Sequence, residues 1–139
     1  MPKTISDTRA MIAAMAPELV PGTWHFCACD ARREAAFLPR ALATFREKEG
    51  VSMILDAAAA NALGAPMDQP MRQITLNVNS ALDGIGLTAA VAQALTEKAI
   101  PCNVVAALRH DHVFVPADMA ETALRTLQAL SATAKWTKP

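Results

Sequence analysis

A chain of 139 residues, 53% of them hydrophobic, can bury a real core as one compact domain or as two small halves. Lys and Arg (13) balance Asp and Glu (13) and form no long basic run, so nucleic acid is not an expected partner. No apolar run approaches the roughly 20 residues that span a bilayer, and Met1–Pro21 lacks a basic stretch leading into an apolar one. The expectation is a soluble, unexported, cytoplasmic protein without a membrane partner, its three cysteines reduced thiols rather than a disulfide framework.

In chain order, Ser6 is placed to cap a short lead-in helix through Met15, with Met11, Ile12 and Met15 on one face and Pro17 as its stop. Pro21-Gly22 turns the chain into a strand at Thr23–Cys29. Asp30–Pro39 is charged and Ala-rich, with no clear period. Ala43–Arg46 and Val51–Leu55 read as two strands of a hairpin around Lys48-Glu49-Gly50. Asp56–Leu63 reads as a short helix, with Asp56 at its N-cap and Gly64 at its C-terminal stop. The linker-like Gly64–Met71, with two prolines, divides the chain nearly in half. The expected organisation is a lead-in helix and an incomplete half over residues 1–65, then a fuller domain over 66–139.

The second half opens on a strand in which Ile74, Leu76 and Val78 alternate with Thr75, Asn77 and Asn79, one face buried and one wetter. Leu82-Asp83-Gly84-Ile85-Gly86 then turns into a helix over Gly86–Lys98, where Leu87, Ala90, Val91, Ala94 and Leu95 recur at helical spacing until Pro101. Asn103–Ala107 and Asp111–Val115 form a hairpin around Leu108-Arg109-His110. Pro116 ends the last strand and starts a helix to about Ser131, with Ala120, Ala123, Leu124, Leu127 and Leu130 as its stripe. Strand, helix, strand, strand, helix is most economically an α+β unit, an antiparallel sheet with both helices on one face.

This second half, Arg72 to about Leu130, resembles an ACT domain, the ferredoxin-like βαββαβ module of regulated enzymes in amino-acid metabolism. LDGIGLTAAVAQALTEKAIPCNVVA looks like the family's first loop, first helix and second strand. HVFVPADMAETALRTLQAL looks like its third strand and second helix. The first half, above all LATFREKEGVSMIL, resembles the companion half of a small stand-alone family with two tandem ACT-like units. Residues after Ser131 give no convincing fourth strand, so the halves are expected to share or exchange terminal strands. The resemblance implies a regulatory protein that binds a small molecule, an amino acid or related carboxylate, with no catalytic activity and no cofactor. It also implies side-by-side association as a homodimer.

The expected binding residues are Asn79, Asp83, Gly84, Ile85, Gly86, Leu87, Asn103 and Val104. Glycines let backbone amides approach a guest, and the unpaired N–H groups of a helix's first turn favour a carboxylate. Asp83 is suited to a ligand ammonium, and Asn79 offers both donors and acceptors. The resemblance brings Asn103 and Val104, at the start of the second strand, against the same loop. The same residues also suit a structural role, with Asp83 capping the helix and the asparagines finishing strand ends.

Two other clusters invite chemistry. His25, Cys27 and Cys29 share one face of a strand, but alternate residues stand about 6.5–7 Å apart, too far to converge at zinc bond lengths of about 2.0–2.3 Å. No metal is expected. His110, Asp111 and His112 surround a strand start, with the histidines on one face and Asp111 on the other, so no His–Asp pair is assembled locally. Ser80 lies in no nucleophile-elbow motif. The rivals to a ligand-binding function are an interaction module whose sheet edges pair between subunits and a small enzyme using the His110–His112 region.

Overall fold

The computed structural model describes residues 7–79, 82 and 84–136. The chain forms two compact units, Met1–Pro21 with Arg72–Pro139 and Gly22–Met71.

The first unit begins with helix α1 (Thr8–Ala14), whose N-cap is Asp7: its carboxylate accepts from the Ala10 amide at 2.9 Å. Ser6, the expected cap, lies outside the described residues. Strand β1 follows at Pro17–Leu19. The unit resumes in strand β5 (Met71–Leu76), helix α4 (Leu87–Glu97), strands β6 (Asn103–Ala106) and β7 (Asp111–Pro116), and helix α5 (Ala120–Trp136), which runs beyond the expected end at Ser131. The strand order is β1, β5, β7, β6, with β1 antiparallel to β5 and β6 antiparallel to β7.

Residues before the second half therefore supply a further strand, β1, while the described residues after Ser131 continue α5. Pro17 lies opposite Leu76 and Leu19 opposite Ile74. A proline is tolerated at the first position of an edge strand, where no ladder donor is needed. Asn77 holds the approach to β1, donating through Nδ2 to the Ala16 carbonyl at 3.2 Å and to Glu18 Oε1 at 3.0 Å.

Periodicity decides what the unit buries. Ile74, Leu76 and Val78 face Val91 and Leu95 of α4 and Ala123 and Leu127 of α5, and Met11 and Met15 of α1 complete the same core. Ser131 Oγ ties α5 to α1 by donating to the Ala13 carbonyl at 2.9 Å. The opposite sheet face is drier than the alternation implied. Gln73 and Thr75 are buried and bonded to His112, with Gln73 Nε2 3.1 Å and Thr75 Oγ1 3.0 Å from its Nδ1.

The second unit holds strand β2 (Trp24–Cys29), helix α2 (Glu34–Phe37) and a 3-10 turn at Leu38–Arg40. Strands β3 (Ala43–Glu47) and β4 (Gly50–Asp56) and helix α3 (Ala57–Leu63) follow. The antiparallel order is β3, β4, β2, and the expected hairpin is present. Asp56 caps α3 by accepting from the Ala59 amide at 2.8 Å, and Gly64 ends it at φ +81°, as their sequence positions suggested. Cys27, Cys29, Met53 and Leu55 pack with Phe37, Ala59, Ala60 and Leu63. The segment without a readable period thus contributes α2 and its buried Phe37 to this core.

Candidate functional site

Within the first unit, a cavity of about 470 Å³ opens at the start of α4, well within the usual range for small-molecule sites. Gly84, Gly86, Leu87, Thr88, Ala89 and Ala92 line one side. Met11, Leu82, Ala106, Ala107 and Asp111 complete it.

The turn into α4 is built on Gly86, the N-cap residue at φ +101°, a conformation that costs glycine little and other residues more. Among the described residues no side chain caps this end. The Gly86 carbonyl accepts from the Ala90 amide at 2.9 Å, so helical bonding begins there. The amides of Leu87, Thr88 and Ala89 come before any intrahelical acceptor, at the partially positive end of the helix. All three residues line the cavity.

Of the expected site residues, the structure brings Gly84, Gly86 and Leu87 together on the cavity wall. Ile85 is mostly exposed, and its carbonyl accepts from the Thr8 hydroxyl of α1. Asn79 is half-buried and makes contacts of its own. Asn103 is exposed and Val104 packs against the main core. The part of the β6–β7 hairpin that reaches the cavity is its far end, at Ala106, Ala107 and Asp111. Asp83 lies outside the described residues.

Asp111 is the site residue that sequence reading passed over. It begins β7 in alternation with Val113 and Val115, on the helix-facing side of the sheet, and only 8% of it is exposed. Burial pushes its carboxyl above the ordinary carboxylate range, and the charges of His112 and His110 oppose this only in part. His112 occupies the other face, where burial and then the charge of His110 hold its imidazole below the ordinary value. The Gln73 amide donates to Nδ1 there, which places the neutral imidazole's proton on Nε2. His110 Nδ1 donates to the Val78 carbonyl at 3.2 Å. The two imidazoles therefore serve the sheet face and the end of β5.

The other clusters that the sequence singled out do not assemble a site among the described residues. His25, Cys27 and Cys29 are buried on one face of β2, yet among the described residues no three potential ligands stand close enough to hold a metal ion. Burial raises the thiol pKa values of Cys27 and Cys102, which disfavours the nucleophilic thiolate. Among the described residues no helix is long and apolar enough to cross a membrane.

Two ACT domain profiles match the chain, one over residues 3–72 and one over residues 69–129. The chain belongs to the ACT domain family. Among solved structures it is similar to a Vibrio cholerae protein of unknown function, described as a possible transport protein. The two are 38% identical, the match covers 86% of this chain and 92% of the other, and the TM-score is 0.76. It also shares its fold with an Agrobacterium tumefaciens protein at 17% identity, covering 83% and 87% of the two chains with a TM-score of 0.60. The regulatory subunit of aspartate kinase from Thermus thermophilus, in ligand-free form, matches at 12% identity, covering 84% and 97% with a TM-score of 0.58. No curated protein matches the chain. These neighbours support the α+β, ferredoxin-like architecture expected from the sequence.

Proposed function

We propose that this ACT domain protein is a regulatory binder of a small carboxylate, in the first instance an amino acid, and that it catalyses no reaction. The observation that carries the reading is the start of α4, whose first-turn residues line a cavity of about 470 Å³. A helix terminus with unpaired amides favours an anion in both hydrogen bonding and charge. The regulatory subunit of aspartate kinase has the same fold, which supports a regulatory role. Occupancy changes behaviour only where the ligand prefers one conformation or assembly over another. The testing experiment is a thermal-shift panel of amino acids and metabolic carboxylates, with hits confirmed by calorimetry. A ligand at about 100 times its Kd adds roughly 2.7 kcal/mol, a shift of several degrees. A flat panel on folded protein defeats the reading.

A second reading, an interaction module, is favoured by the exposed aromatic side chains of β3 and β2. Register puts Phe45 and Ser52 opposite one another, and Phe26 opposite Ile54, on the side away from Met53 and Leu55. Phe45 is 72% exposed on the outermost strand and Phe26 is 49% exposed. Such a face suits association between copies. Sedimentation equilibrium of Phe45→Ser against the unaltered protein tests it, with a shift toward monomer expected.

A further inference from the structure

Asp111 is a carboxylate with no ion-pair partner among the described residues. It is 8% exposed, and among the described residues no hydrogen bond or ion pair reaches its side chain. The amides of the α4 start do not donate to it, and the imidazoles on either side in sequence are bonded to Val78 and to Gln73 and Thr75. Burying a charge without a partner is costly, and such groups concentrate where a ligand supplies the missing charge. Asp111 lines the same cavity as the first turn of α4, and among the described residues no other lining residue is charged. The rest of the wall is Met11, leucine, glycine, Thr88 and four alanines.

We propose that Asp111 binds the ammonium group of an amino acid whose carboxylate lies on the α4 amides and whose side chain is uncharged. This rests on the small-carboxylate reading above and narrows it. The cavity wall offers positive partial charge and hydrogen-bond donors at the start of α4 and a carboxylate at Asp111. A zwitterion satisfies both. The alanine-rich wall leaves room for an apolar side chain, and its described residues include no second charged group to pair with a charged one. The raised pKa of Asp111 is what a carboxylate kept from water without a cation would show.

The test measures calorimetric binding of the standard amino acids to the full chain and to Asp111→Asn. Alongside them run carboxylic acids that lack only the amine, propionate for alanine and 4-methylpentanoate for leucine. The expected result is an uncharged amino acid bound to the unaltered protein at least tenfold tighter than its amine-free counterpart. Asp111→Asn should lose about 10- to 100-fold for the amino acid and little for the amine-free acid, the loss of one charge-assisted contact. Equal binding of the amine-bearing and amine-free acids by the unaltered protein overturns the proposal and needs no folded variant. An amino-acid preference retained by folded Asp111→Asn overturns the Asp111 assignment and leaves the carboxylate reading standing. Preference for lysine, arginine, aspartate or glutamate overturns the ligand class. No binding of any panel member by folded protein overturns both this proposal and the function it rests on.

Discussion

The Thr8 hydroxyl donates to the Ile85 carbonyl, and the Thr8 methyl stands where a side chain on Gly86 would go: a Cβ there would lie 2.7 Å from Thr8 Cγ2. The first residue of α1 thus clasps the turn that opens the cavity, while Met11, one helical turn on, forms part of its wall. Gly86 is needed twice over, for its φ of +101° and for this close approach.

Gly86→Ala is therefore expected to destabilise the protein by roughly 1–3 kcal/mol, the usual cost of forcing a side chain into such backbone. Thr8→Ser, which removes the methyl and keeps the hydroxyl, should recover the steric part in the double variant and leave the backbone part. Thermal melts of the four proteins in this cycle measure the division, and additive effects would refute the contact's role.

Asp111 and His112 predict opposite pH dependences. Asp111 has a folded pKa above its unfolded one, so the folded state binds the extra proton. Its contribution to stability is present below the unfolded pKa and is lost as pH rises through the folded pKa. Asp111→Asn should thus melt higher than the unaltered protein at pH 7. The gap should close as pH falls toward the ordinary carboxylate range.

His112 has a folded pKa below its ordinary value, because protonation would oppose burial and set an Nδ1–H against the Gln73 amide donor. Its contribution is present above the unfolded pKa, about 6.5, and is lost as pH falls through the folded pKa. Stability should therefore drop on acidification below about pH 6.5. His112→Asn keeps an acceptor where Nδ1 stands, and it should flatten that part of the profile. An unchanged slope in chemical denaturation would refute the assignment.

The turn before α4 was legible because glycines and a 3.6-residue period are local signals, and they led to Gly84, Gly86 and Leu87. Asp111 was not. Alternation already separated it from the two histidines, but which side of β7 faces the helices depends on strand pairing and helix packing. Asn103 and Val104 came from family likeness alone, and the cavity meets the other end of β6. β1 escaped notice because three residues carry little alternation and Pro17 reads equally well as a helix stop. Met11 and Met15 were visible as an apolar face, but their position in the chain did not disclose that the face closes a core built from residues after Arg72.

That last point yields a test of how the unit is made. A fragment of residues 66–139 contains β5, α4, β6, β7 and α5, yet it lacks Met11, Met15 and β1. Met11 is 1% exposed and Met15 fully buried, so their removal uncovers core on Leu127 and its neighbours, while loss of β1 leaves one edge of β5 unpaired along Ile74–Leu76. Deleting two buried methionines costs several kcal/mol by the measure of large-to-small core substitutions, a large share of the 5–15 kcal/mol that holds a typical domain together. The fragment is expected to show no cooperative melt and to associate through the exposed edge. Residues 7–21 joined by a flexible linker to residues 72–136 restore both the methionines and the strand, and this chain should melt cooperatively. A cooperative transition in the shorter fragment would mean that the α1–β1 segment is dispensable for the unit, and that the clasp between Thr8 and Ile85 is a late addition to an already stable fold.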